Sequence, residues 1–106
     1  METMTAQEAA HLLQTAPDDT VLLDVRENVE LQLAAIPGAL HIPMGEIPAR
    51  LAELDKGKTI ICMCHLGGRS AQVTQYLAAQ GYQAVHNLDG GIAAWSAQVD
   101  ADIPTY

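Results

Sequence analysis

The run Thr59-Ile60-Ile61-Cys62-Met63 stops at Cys64, where His65-Leu66-Gly67-Gly68-Arg69-Ser70 leads into a stretch whose apolar residues recur at helical spacing. An unbroken apolar run of this length is a strand covered on both faces, and such strands occur in sheets flanked by helices. Val21-Leu22-Leu23 is a second run of the same kind. Two buried strands, each followed by polar or glycine-bearing turns and helical periods, commit the chain to an α/β architecture with a mainly parallel sheet.

The rest of the chain fits that alternation. Thr5-Ala6-Gln7-Glu8 is a capping-box pattern ahead of Ala9, Ala10, Leu12 and Leu13, so a first helix is expected there. Asn28 to Ala35 reads as weakly helical, and Leu40-His41-Ile42 as a brief strand. Ile47, Leu51 and Leu54 predict a helix that stops at Lys56-Gly57-Lys58. Beyond the Cys64 loop, Ala71, Val73, Tyr76, Leu77 and Ala78 mark the apolar face of a helix starting near Ser70 and ending at Gly81. Ala84 to Asn87 is a last strand, Asp89-Gly90-Gly91 a turn, and Ile92 to Trp95 part of a last helix, while Val99 to Tyr106 has no clear period. At 106 residues, with no linker, repeat or low-complexity stretch, residues 1–106 are expected to form a single domain.

In parallel sheets of this kind, ligands bind beyond the carboxyl ends of the strands. Cys64 and Asp24 both fall at such ends. A thiol at a strand end, followed by glycines and a helix start, sits where backbone N–H groups and the positive end of the helix dipole converge on the sulfur. A neighbouring arginine, Arg69, adds to that field. The pattern describes a thiolate nucleophile. Gly67 and Gly68 allow the loop to wrap closely around the sulfur, and Arg69 can bind an anionic donor or fix the loop. An ordinary glycine-rich turn after a buried cysteine is the competing account of the same residues.

Composition narrows the partners. The net charge is −8, and only Arg26, Arg50, Lys56, Lys58 and Arg69 are cationic, which argues against nucleic acid as a ligand. No apolar run approaches the length of about 18 residues needed to cross a bilayer. The first residues lack the basic and apolar regions of a signal peptide, and Cys62 and Cys64 are poorly placed to bridge each other; a cytoplasmic protein with free thiols is expected.

Cys64-x-x-Gly67-x-Arg69-Ser70 resembles the active-site loop of the rhodanese family of sulfurtransferases. Leu23-Asp24-Val25-Arg26-Glu27, Ile36-Pro37-Gly38-Ala39-x-His41-Ile42-Pro43 and Leu88-x-Gly90-Gly91-Ile92-x-x-Trp95 are similar to three further signatures of that family, in the same order. The resemblance implies an α/β fold with a central, mainly parallel five-stranded sheet and helices on both faces. It implies a persulfide on Cys64, with the amides from His65 through Arg69 lining the sulfur pocket and Arg69 assisting. His65, Leu66, Gly67, Gly68 and Ser70 are then expected to contact the substrate. Asp24, Arg26 and His41 are read as mainly structural, Arg26 being the one most able to assist at the site, and no metal or organic cofactor is implied.

His65 and Leu66 stand where many family members that use thiosulfate well carry a cation directly after the cysteine, which makes a protein or small organic persulfide the more attractive donor. The tail, Trp95-Ser96 through Ile103-Pro104-x-Tyr106, is similar to rhodanese modules attached to adenylating enzymes of molybdopterin and thiouridine pathways, and to stand-alone rhodaneses. The partners expected are small sulfur donors, thiol acceptors and a protein that gives or takes sulfur.

Three other readings compete. Cysteine phosphatases and arsenate reductases place five residues between cysteine and arginine, whereas this loop has four. The shorter loop favours one added sulfur atom over a phosphoryl group with three oxygens. A zinc site built from Cys62, Cys64, His65, His41 and His86 lacks paired-ligand spacing. A catalytically idle, partner-binding module of the same fold is the strongest rival, although Cys64, Arg69 and the loop glycines are all present.

Overall fold

A computed structural model describes residues 2–106. Five strands form one sheet: β1 (Thr3–Met4), β2 (Thr20–Asp24), β3 (Leu40–His41), β4 (Thr59–Met63) and β5 (Val85–Leu88). Their spatial order is β1-β5-β4-β2-β3, and every pairing is parallel. The helices are α1 (Ala6–Thr15), α2 (Asn28–Leu33), α3 (Gly68–Ala79) and α4 (Gly91–Gln98).

Apolar parity along β4 divides the core in two. Ile60 and Cys62 point into one layer with Val73 and Leu77 of α3 and with Leu23, Val25 and Ile42. Ile61 and Met63 point into the other, with Ala6 and Ala9 of α1, Ile92 and Trp95 of α4, and Leu22. Successive strand side chains alternate between faces, so Cys64, one position past the strand, falls in the α3 layer with Ile60 and Cys62.

The expected capping box is present: Glu8 N–H donates to Thr5 Oγ1 at 3.1 Å and Thr5 N–H to Glu8 Oε1 at 2.9 Å. Two expectations need correction. The helix predicted from Ile47, Leu51 and Leu54 is instead a pair of 3-10 segments, Met44–Glu46 and Pro48–Glu53, the second itself broken at Arg50 (φ −117°, ψ 21°). Pro48 has no N–H to continue a helix from the preceding turn, yet Ile47 and Leu54 are still buried in the α3 layer. The edge strand β1 also precedes the first element expected; it exists because β5 offers it an open edge, pairing Thr3 with Asn87 and Met4 with Leu88.

The chain leaves β2 toward β3 at one edge and leaves β4 toward β5 on the other side. The carboxyl ends of β2 and β4 therefore flank the point where the winding reverses, the crevice in which open α/β sheets bind ligands.

Candidate active site

Cys64 lies in that crevice with its sulfur beneath the loop, the residue being 1% exposed. Gly67 N–H donates to Cys64 Sγ at 3.1 Å, and Ser70 Oγ lies 3.3 Å from the same atom. Burial pushes the Cys64 thiol up, but hydrogen bonds from the Ser70 side chain and from the Ser70, Gly67 and Leu66 amides outweigh it, and the net shift is downward. The amides that lower the thiol are those of Leu66 and Gly67, within the stretch from His65 to Arg69, and that of Ser70 just beyond it. Cys62, two residues earlier on the same face, is pushed up to about 12, chiefly by burial. Adjacent thiols in one layer are thereby separated into an inert one and an ionisable one.

The loop holds this shape from both sides. Ile92 N–H donates to Cys64 O at 2.9 Å and Ala93 N–H to His65 O at 3.2 Å, so the first turn of α4 takes up the two carbonyls. Asn87 Nδ2 donates to Gly67 O at 3.1 Å. With its carbonyls turned toward α4 and β5, the loop is free to turn amides toward the sulfur. Gly67 has φ +114° and needs to be glycine. Gly68 does not: its φ is ordinary and a Cβ there would meet nothing within 4 Å. Gly91, read from sequence as a turn residue, also permits close packing, because a Cβ on it would stand 2.4 Å from His65 O.

Arg69 comes to the crevice from the start of α3, but its guanidinium is engaged. Nη1 donates to Glu30 Oε1 at 2.6 Å and Nη2 to Glu30 Oε2 at 2.8 Å. The Arg69 hydrogen bonds hold the Glu30 carboxyl down at about 2 despite its partial burial. Tyr106 joins this group: its hydroxyl donates to Glu30 Oε2 at 2.8 Å, and its ring stacks on His65 with centroids 3.9 Å apart. Leu66 stands out at the loop's tip, 66% exposed.

Arg26 is placed inside the protein, 0% exposed, and not at the mouth. Its Nε and Nη2 bind the Asp24 carboxylate, Nη2 also reaches Ala34 O, and Nη1 reaches Glu30 O and the Tyr106 hydroxyl. All five N–H groups have acceptors, leaving none for a substrate. His41 Nε2 lies 2.6 Å from Arg26 O. Asp24, Arg26 and His41 therefore brace the end of β2. Glu30, Tyr106 and Asn87 were missed as site residues by sequence reasoning; the acidic start of α2 was a signal for Glu30 and the tail pattern ending at Tyr106 one for Tyr106, while nothing pointed to Asn87.

Among the described residues, no group of three His, Cys, Asp or Glu side chains is arranged to hold a metal ion. A cavity of about 670 Å³ lies toward the amino ends of β2 and β4, between Leu13, Ile36, Lys58 and Trp95, and Cys64 takes no part in it.

The fold and site together define an α/β domain of five parallel strands with a thiol, held by the Gly67 N–H and the Ser70 hydroxyl, at the switch point of its sheet. Residues 5–98 match the family described as Rhodanese-like domain, and the chain belongs to that family. It is 43% identical over 79 residues to a sulfurtransferase of Allochromatium vinosum, covering 74% of each chain. It is 40% identical over 93 residues to the rhodanese-like/PpiC domain-containing protein 12, chloroplastic, of Arabidopsis thaliana, covering 84% of this chain but only 31% of that protein. A rhodanese-like domain protein from Staphylococcus aureus superposes with a TM-score of 0.84 at 32% identity, over 100% of this chain and 99% of the other.

Proposed function

We propose that the protein is a sulfurtransferase that carries sulfur as a persulfide on Cys64. The observation that carries this reading is the cradle at Cys64, whose sulfur lies at the switch point of the sheet 3.1 Å from the Gly67 N–H donor and 3.3 Å from Ser70 Oγ, contacts that favour a thiolate there. In the first half-reaction the Cys64 thiolate attacks the outer sulfur of a donor R–S–SH; the S–S bond breaks and R–S⁻ leaves with the electron pair. In the second, an acceptor thiolate attacks the outer sulfur of the Cys64 persulfide and Cys64 departs as thiolate. This is a ping-pong cycle that needs no metal or organic cofactor. The loop amides stabilise the anionic sulfur in both halves.

Thiosulfate and persulfides are both candidate donors, and thiols, cyanide or a protein are candidate acceptors. Val29 and Leu33 are exposed on α2, the helix whose Glu30 meets Arg69, and Leu66 is exposed on the Cys64 loop, which favours a protein-borne donor or acceptor. The same side chains support a second reading, a docking module that transfers no sulfur. Two free thiols suit a reducing compartment, in keeping with a cytoplasmic location; no helix among the described residues is long and apolar enough to cross a membrane.

Intact-protein mass spectrometry decides between them. Wild type and Cys64→Ser are incubated with thiosulfate, and separately with a cysteine desulfurase plus cysteine. One added sulfur that requires Cys64 and is discharged by cyanide is the expected result. Folded, reduced protein that gains sulfur from neither donor would put the docking reading ahead and make partner capture the next experiment.

A further inference from the structure

We propose that Glu30 sets the donor specificity of this site: by occupying the Arg69 fork it withdraws the one arginine of the Cys64 loop from oxyanion binding, turning the site toward persulfides on neutral or cationic carriers and away from thiosulfate. This rests on the sulfurtransferase reading and concerns which donor loads Cys64.

Thiosulfate is a dianion whose sulfonate oxygens call for a paired set of N–H donors, the arrangement that a guanidinium offers. In this chain that arrangement is filled by the two Glu30 oxygens, at 2.6 and 2.8 Å. Glu30 is not a loosely held surface partner. Glu27 N–H donates to its Oε1 at 3.1 Å and the Tyr106 hydroxyl to its Oε2 at 2.8 Å, while Tyr106 is itself fixed by Arg26 Nη1 at 3.0 Å and by stacking on His65. An oxyanion that took Arg69 would have to displace a carboxylate held by three groups, or sit beside its negative charge.

The other cations are committed elsewhere. Arg26 is buried against Asp24. Arg50 is paired with Glu46 and Glu53. The Lys56 ammonium lies over the Tyr82 ring, and Lys58 lines the cavity toward the amino ends of the strands. The crevice thus joins a carboxylate delivered by the connection after β2 to an arginine delivered by the connection after β4.

Both donors give a balanced step. With thiosulfate, Cys64–S⁻ attacks the outer sulfur, the S–S bond breaks, sulfite leaves with the electron pair, and Cys64–S–S⁻ remains. With cysteamine persulfide, the same attack expels the cysteamine thiolate, and the persulfide proton stays on Cys64–S–SH.

The test measures how fast Cys64 gains sulfur in single turnovers from thiosulfate and from cysteamine persulfide, read by intact mass, in wild type, Glu30→Gln and Glu30→Asp. Glu30→Gln should load from thiosulfate about tenfold faster than wild type, as expected for freeing a charge-assisted donor pair, with its rate from cysteamine persulfide changed by no more than about twofold. Glu30→Asp, which keeps the charge, should keep the wild-type ratio of the two rates. A thiosulfate-to-persulfide ratio that is unchanged or lower in Glu30→Gln would overturn the proposal.

Wild type supplies a second measurement that does not depend on the variant folding. Sulfate at about 10 mM should leave loading from cysteamine persulfide unaffected, whereas inhibition at about 1 mM would mean an accessible Arg69 and would also overturn it. Failure of wild type to take sulfur from either donor removes the sulfurtransferase reading and this one with it. Loading with an unmoved ratio removes only the role of Glu30.

Discussion

Ser70 Oγ lies 2.5 Å from Asn87 Oδ1 while also lying 3.3 Å from Cys64 Sγ, so a single hydroxyl hydrogen faces two acceptors. Asn87 keeps its hold on the loop through Nδ2 and Gly67 O wherever that hydrogen points. The hydroxyl is therefore available to a thiolate without the loop losing its anchor. Ser70→Ala should slow alkylation of Cys64 by iodoacetamide at pH 7 by about tenfold, the effect of losing one hydrogen bond to a charged group. The rate-against-pH curve should move to higher pH and reach the same plateau; a superimposable curve would remove Ser70 from the stabilisation of the sulfur.

Cys62 should be silent in the same experiment. A thiol pushed up to about 12 is almost wholly protonated at pH 7, and peptide mapping after brief alkylation of folded protein should find label on Cys64 alone. Cys62→Ala should retain most sulfur loading and lower stability by about 1–2 kcal/mol, through the small void left against α3. Equal loss of loading in the Cys62 and Cys64 variants would contradict a single nucleophile.

The glycines should respond unequally. Gly91→Ala places a Cβ against the backbone carbonyls of Cys64 and His65 at φ +60°, with no flexible side chain to yield. A loss of more than about 3 kcal/mol in urea unfolding, or failure to fold, is expected. Gly68→Ala, in open space at the first position of α3, should change stability by less than about 1 kcal/mol and is as well suited to raise it as to lower it.

Thr20 Oγ1 is a buried polar atom without a hydrogen-bond partner, at the start of β2 beside the large cavity. Thr20→Val replaces it with a methyl group of nearly the same shape and removes the unmet desolvation. Stability should rise by about 1 kcal/mol, seen as a higher urea midpoint with an unchanged slope. A fall would indicate that the hydroxyl is satisfied in solution.

Acid should weaken the protein partly through Glu30. Its folded-state carboxyl is lowered from 4.5 to about 2, chiefly by the Arg69 hydrogen bonds. The stability it contributes is accordingly present above pH 4.5 and is lost as pH falls toward 2. Because the pair is only partly shielded from solvent, about 1–2 kcal/mol of acid-dependent stability is expected over that range. Glu30→Gln should lack this component, and identical pH profiles for the two proteins would refute it.

How far the sequence reveals these features follows from the distance over which each is encoded. The β4 strand, the Cys64 loop and α3 are written in adjacent residues, and β4 begins and ends where the apolar run does. Glu30 meets Arg69 across 39 residues of chain and Tyr106 across 76, and no local spacing reveals either contact. The spacing of Ile47, Leu51 and Leu54 identified the buried side chains but not the geometry beneath them, because an i, i+4, i+7 pattern also suits two short 3-10 turns. β1 escaped detection because two residues are too few to show alternation, and its partner strand supplies the order.

The fixing of the Cys64 and His65 carbonyls by α4 leaves the two ends of the loop unequally constrained. A residue added near Cys64 would tear carbonyls from Ile92 and Ala93, whereas one added around Leu66, at the exposed tip, would enlarge the ring of amides and leave the strand and α4 where they are. The scaffold therefore has a single seam along which the diameter of its anion ring can be altered, and descendants of such a chain could acquire room for a larger leaving group by insertion there without rebuilding the fold.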